Sequence, residues 1–227
     1  MNIGTHNLNT VGLLCFFICV FWGPVTVQGQ APAAADSVAE RPSSEPARYQ
    51  KMVHPLQHRN EVSLWAGFAF DSFRLWGKTQ DARIRSLGLR YKRKLLNYRN
   101  MIVEYGLSTN LYSSYSYQGF EPYRYRSTLS GFGISPLGFQ ANFITDRKVQ
   151  PFINTSAGLM FMEAPFPDDR GKKLNFTFYA GGGLEIMLSR SVSLSLGIKY
   201  HHLSNGDRGQ INPGVDSNFY YTSITIF

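Results

Sequence analysis

Cysteine is nearly missing from this chain. There are two, Cys15 and Cys19, and both lie in the apolar stretch of residues 11–22 (VGLLCFFICVFW). Beyond residue 29 there are none, which excludes disulfides, thiolate zinc sites and a nucleophilic cysteine from that part. Long apolar runs are missing too: no stretch reaches the roughly 18–20 residues that a spanning helix needs. Charge is absent from residues 1–29, which hold no Asp, Glu, Lys or Arg, so the net charge of +8 belongs wholly to residues 30–227.

The stretch 11–22 is too short to cross a bilayer as a helix and has the length of a signal-peptide apolar core. Val27-Gln28-Gly29 offers a small-residue cleavage site. Residues 1–29 therefore read as a signal peptide, with the mature chain beginning near Gln30. Residues 1–10 lack Lys and Arg, which leaves a short N-terminal membrane anchor as the competing reading. A lipidated Cys15 or Cys19 is disfavoured, because both sit inside the apolar run. Residues 30–60 are rich in Ala, Pro, Ser and charge and read as a flexible periplasmic linker without a core of its own. An exported chain without cysteines suits the bacterial envelope. Its basic balance suits an anionic surface, and export points to phosphorylated glycolipid rather than nucleic acid.

From Glu61 onward the texture is short alternating runs with many aromatics and glycines. Val62, Leu64, Ala66 and Phe68 alternate with Ser63, Trp65 and Gly67; Val192, Leu194, Leu196, Ile198 and Tyr200 alternate with Ser193, Ser195, Gly197, Lys199 and His201. A period of two puts successive side chains on opposite faces of a strand. Eight strands are expected near 61–70, 82–92, 97–108, 126–145, 149–162, 174–188, 191–202 and 216–227. Short connections (93–96, 146–148, 189–190) alternate with long ones (71–81, 109–125, 163–173, 203–215). That is the layout of an all-β, eight-stranded antiparallel transmembrane barrel of the outer membrane, with both termini on the periplasmic side. The terminal Phe227 fits the same class. The alternative is a soluble barrel or sandwich, which would bury the apolar face. The bulk of that face, and the Gly, Ser, Asn, Glu104, Glu185 and Lys199 on the other, favour the membrane barrel with a paired polar interior.

One cluster carries chemistry. His202 and Ser204 share the outward parity of the seventh strand, roughly 6.6 Å apart at Cα. Asp216 opens the antiparallel strand that returns to the same end. Histidine, serine and carboxylate are the parts of a nucleophilic hydrolase. Asn205, Gly206 and Asn212 lie in the connecting loop and offer N–H groups for an oxyanion. The short pattern H-x-S-N is weak by itself, since polar residues at a strand end usually begin a solvated loop. His201 has inward parity. His54 and His58 lie in the linker without a ligand pattern, Asp168-Asp169-Arg170 reads as a solvated loop tip, and Gly181-Gly182-Gly183 lacks the following helix of a phosphate loop. Arg83, Arg85, Arg90, Lys92, Arg124 and Arg126 are candidates for the lipid phosphates, or simply flank strands.

The stretch Tyr200–Ser217 (YHHLSNGDRGQINPGVDS) resembles the signature of the lipid A 3-O-deacylase (PagL) family, and GISPLGFQ (133–140) and NFTFYAGGGLEIMLS (175–189) also resemble it. The resemblance implies an eight-stranded outer-membrane barrel that hydrolyses an ester of lipid A in the outer leaflet. It places the catalytic histidine at His202, the serine at Ser204 and the acid at Asp216, with Asn205 after the serine and Asn212 at the oxyanion hole. It implies no cofactor and no metal, and a homodimer is compatible with it. The acid is aspartate where the family pattern has glutamate, so its bond to His202 needs a closer strand pair. The competing functions are a catalytically silent structural or adhesive barrel, and an esterase acting on another lipid ester.

Overall fold

The alternation is realised as eight strands: β1 (Asn60–Ala69), β2 (Arg83–Tyr98), β3 (Met101–Gln118), β4 (Arg126–Phe143), β5 (Val149–Phe166), β6 (Lys172–Met187), β7 (Val192–Ser204) and β8 (Val215–Ile226). In a computed structural model, which describes residues 60–122 and 124–227, each strand pairs antiparallel with the next. β8 pairs back onto β1, so the sheet closes and leaves no free edge. The expected signal peptide and all but the last residue of the expected linker lie outside the described residues.

β1 shows which face meets what. Val62 and Leu64 are 54% and 58% exposed, whereas Glu61, Ser63 and Trp65 between them are exposed by no more than 2%. Apolar side chains point outward and polar ones inward, the reverse of a soluble barrel. The same holds on β8, where Ile224 and Ile226 are exposed and Ser223 and Thr225 are buried. Phe219 and Tyr221, of the same parity as Ser223 and Thr225, fill the interior.

The interior is held by a charge cluster. Lys92 lies 2.8 Å from Glu61, 2.9 Å from Glu104 and 3.8 Å from Glu185, and Lys94 lies 3.2 Å from Glu61. Asn142 and Ser193 complete the shell of Glu185 with bonds of 2.6 Å each. Buried charge is tolerable only when paired and hydrogen-bonded in this way. The expected pairing thus holds for Glu104 and Glu185. Lys199 has no carboxylate partner among the described residues; four aromatic rings surround it instead.

Strands run further than periodicity indicated. β3 continues to Gln118 and β5 to Phe166, so two of the expected long loops shrink to 119–125 and 167–171. A register shift between Asn110 and Ser113 explains the first. The one extra residue flips the parity, after which Ser113, Tyr115 and Tyr117 face inward, fully buried. A second shift between Lys94 and Leu96 moves the β2–β3 turn from 93–96 to 99–100. The two longest connections, 70–82 and 205–214, emerge at the same end of the barrel. They are fastened together there, with the Lys78 N–H donating to the Pro213 carbonyl and the Thr79 hydroxyl to the Gly214 carbonyl, each at 2.5 Å.

Candidate active site

Antiparallel pairing of β7 with β8 sets His202 opposite Asp216, and the two meet through Nδ1 and Oδ1 at 2.6 Å. A carboxylate only accepts, so Nδ1 carries the shared proton and the Nε2 lone pair is free to act as a base.

Asp216 has the parity of Asn218 and Tyr220, which are exposed on the outer wall, yet it is fully buried. The β1–β2 loop accounts for this by folding down over the outside of β8. The Phe73 N–H donates to the Asp216 carbonyl at 3.0 Å. The N–H groups of Leu75, Trp76 and Gly77 then converge on Asp216 Oδ2 at 3.0, 2.5 and 2.5 Å. The Tyr200 hydroxyl donates to Oδ1 at 2.7 Å. Hydrogen bonds to a charged group contribute about 1.5–3 kcal/mol each, so the carboxylate is held from every side. The approach is close enough to demand glycine: a Cβ on Gly77 would stand 2.9 Å from the Asp216 nitrogen and from two backbone atoms of Val215.

Aromatic rings hold the imidazole. Trp76 meets it edge-on, with centroids 5.5 Å apart, and Tyr200 lies parallel to it at 6.4 Å. Gly214, at φ +60°, leaves the other side open, where a Cβ would come within 3.4 Å of His202 Cε1.

Ser204 follows on the same outward face of β7, half-buried. Among the described residues no hydrogen bond joins its hydroxyl to His202. Such serine–histidine contacts are commonly long before substrate binds. The asparagines of the next loop are occupied with one another. The Asn205 N–H donates to Asn212 Oδ1 at 2.9 Å, the Asn205 amide to the Ile211 carbonyl at 2.7 Å, and the Asn212 amide to Asp207 at 3.0 Å. These bonds shape the turn, in which Gly206 adopts φ +64°. The Gly206 N–H has no acceptor among the described residues, which leaves it available for an oxyanion.

A family model described as lipid A 3-O-deacylase (PagL) matches residues 85–225, a span that takes in His202, Ser204 and Asp216. The chain belongs to the lipid A 3-O-deacylase (PagL) family. The crystal structure of the outer membrane enzyme PagL is 19% identical, with a TM-score of 0.53 over 72% of this chain and 97% of that one. A likeness at that identity concerns the fold. Neisserial surface protein A is 14% identical, with a TM-score of 0.48 over 74% of this chain and 97% of that one. Ail of Yersinia pestis is 15% identical, with a TM-score of 0.42 over 74% and 99%. No curated protein matches the chain.

Two parts of this PagL-family site went unseen in the sequence. Tyr200 shares the face of His202 at i, i−2, and that parity was the available signal. The 75–77 backbone gave none, because its contact with Asp216 spans about 140 residues of chain. Two basic candidates are misplaced: Lys92 lies in the interior, and Arg90, half-buried, bonds Ser108 at 3.4 Å on the inner face. From the inner face neither reaches lipid phosphates, whereas Arg83 and Arg126 stay at the loop end beside Asp81. His201 is buried against the Tyr115 hydroxyl at 2.8 Å. His54 and His58 lie outside the described residues. Asp168 is bonded by Arg170 at 2.6 Å, which holds its carboxyl below the usual range, and no cluster of metal-ligating groups occurs among the described residues.

Proposed function

We propose that this PagL-family barrel is a serine esterase of the outer membrane that hydrolyses the 3-O-linked hydroxyacyl ester of lipid A. The observation that carries the reading is the His202–Asp216 pair on the outward face of the barrel, with Asp216 held by the Tyr200 hydroxyl and three backbone N–H groups. A purely structural barrel has no use for a carboxylate buried on its lipid-facing wall, where an unpaired charge is costly.

Ser204 is the nucleophile. His202 Nε2 takes the hydroxyl proton as Oγ attacks the ester carbonyl, and Asp216 stabilises the imidazolium that forms. The Gly206 N–H, with the loop that Asn205 and Asn212 shape, faces the negative oxygen of the tetrahedral intermediate. Collapse breaks the bond to the sugar oxygen, which leaves as the 3-hydroxyl after taking the proton from His202. The acyl chain stays on Ser204. His202 then deprotonates a water that attacks the acyl-serine, releasing a free 3-hydroxy fatty acid and regenerating the serine. The chemistry calls for no metal or cofactor.

The same groups suit esters of other lipids, and the product tells them apart. Purified barrel incubated with lipid A is expected to release free 3-hydroxy fatty acid, identified by mass. Release of a non-hydroxylated acid would assign a different ester, and release of none from a folded, detergent-solubilised barrel would favour the catalytically silent one.

A further inference from the structure

Lys199 is 5% exposed and points into the barrel from β7. The rings of Tyr179, Tyr221, Trp65 and Phe219 surround its ammonium at 4.1, 4.9, 5.2 and 5.2 Å. The rings turn their negative faces toward the amine. No carboxylate among the described residues reaches it, because those of the interior lie at Lys92 and Lys94. Among inward-facing strand residues, Glu61, Glu104 and Glu185 stand against Lys92, Lys94, Arg90 and Lys199. The carboxylates are gathered on Lys92 and Lys94, so the side of Arg90 and Lys199 holds none. An unpaired charge in a membrane-spanning interior is costly and marks a functional position.

Beside Lys199 is a cavity of about 30 Å³. Arg90, Lys92 and Lys199 line it together with the polar side chains of Ser108, Asn154 and Ser156, and no carboxylate does. A water needs about 10–15 Å³ by the same measure, so the space suits one small ion and not an acyl chain.

We infer that the barrel interior holds a binding site for a small inorganic monoanion of chloride size, set between Lys199 and Arg90. The anion supplies the negative charge that the side of Arg90 and Lys199 lacks, and fastens β7 to β2 through the lumen. The site is independent of the deacylase reading, because none of the residues lining the cavity belongs to the His202 site.

The test is the unfolding midpoint of the purified, folded barrel in sodium chloride against sodium gluconate, at equal ionic strength and pH. The midpoint is expected to rise with the logarithm of chloride concentration, as for a ligand that binds only the folded state. It should stay lower and flat in gluconate. Lys199→Met is expected to fold, keep deacylase activity and lose the chloride dependence. Should that variant fail to fold, crystals of the wild-type barrel grown with sodium bromide must show an anomalous peak between Lys199 and Arg90. Equal midpoints of the wild type in the two salts, chloride dependence retained by Lys199→Met, or no bromide peak in the cavity would each overturn the inference.

Discussion

Tyr200 and His202 donate to the same oxygen of Asp216, at 2.7 and 2.6 Å. The second oxygen is taken by the β1–β2 loop, so nothing but hydrogen bonds fixes the direction in which the acid faces the imidazole. Removing the tyrosine hydroxyl should therefore be felt in turnover. Tyr200→Phe keeps the ring stacked on His202 and loses one charge-assisted bond of about 1.5–3 kcal/mol. A kcat about 10-fold lower is expected, with KM nearly unchanged. Steady-state kinetics on lipid A in detergent checks this. A purely structural role would instead lower the folded fraction and leave the kcat of the folded enzyme intact.

The aspartate should not be exchangeable for the glutamate of the family pattern. Asp216 is fully buried and accepts Tyr200, His202, Leu75, Trp76 and Gly77 in one arrangement. One more methylene moves the carboxylate by about 1.5 Å, and a misplacement of about 1 Å can cost roughly 100-fold in rate. Asp216→Glu is expected to lose activity on that order, and Asp216→Asn more, since it also disturbs the His202 tautomer. Full activity in Asp216→Glu would mean that the loop does not define the position of the acid.

Gly77 offers a test of the loop that leaves every side chain of the site in place. Its missing Cβ lets the loop backbone reach the Val215–Asp216 peptide. Gly77→Ala pushes the loop away from Asp216 and is expected to reduce kcat by about 10-fold or more. The variant should still shift between folded and unfolded mobility on cold and heated gels, because β1 to β8 are untouched.

Much of this was legible in the residues, and the illegible parts share a cause. Val62, Leu64 and their partners show strands, and the outward parity of His202 and Ser204 follows from counting along β7. The count fails where a strand bulges, as at Lys94–Leu96, Asn110–Ser113 and Ile134–Leu137. There one extra residue inverts inside and outside without a signal in composition. It gives nothing for Asp216, which shares the outward parity of Asn218 and Tyr220 and is covered by a loop distant in the chain. Contacts between distant segments leave no periodicity. For that reason Tyr200 was within reach of the sequence and the 75–77 backbone was not.

The interior cluster should govern stability rather than activity. Lys92 neutralises glutamates on β1, β3 and β6. Lys92→Met strands buried carboxylates, and breaking a buried ion pair from one side costs about 3–5 kcal/mol. Urea unfolding of the barrel in lipid vesicles is expected to show a loss on that scale, with activity per folded molecule retained.

The most direct test of the deacylase reading is the mass spectrum of lipid A from cells expressing the wild-type protein or Ser204→Ala. The wild type is expected to yield lipid A lighter by one 3-hydroxyacyl chain. Ser204→Ala, present in the outer membrane at an equal level, is expected to leave the chain in place, in line with nucleophile losses of roughly 10⁶-fold in serine hydrolases. Identical spectra from the two, whether both intact or both shortened, would contradict Ser204-dependent removal of that chain.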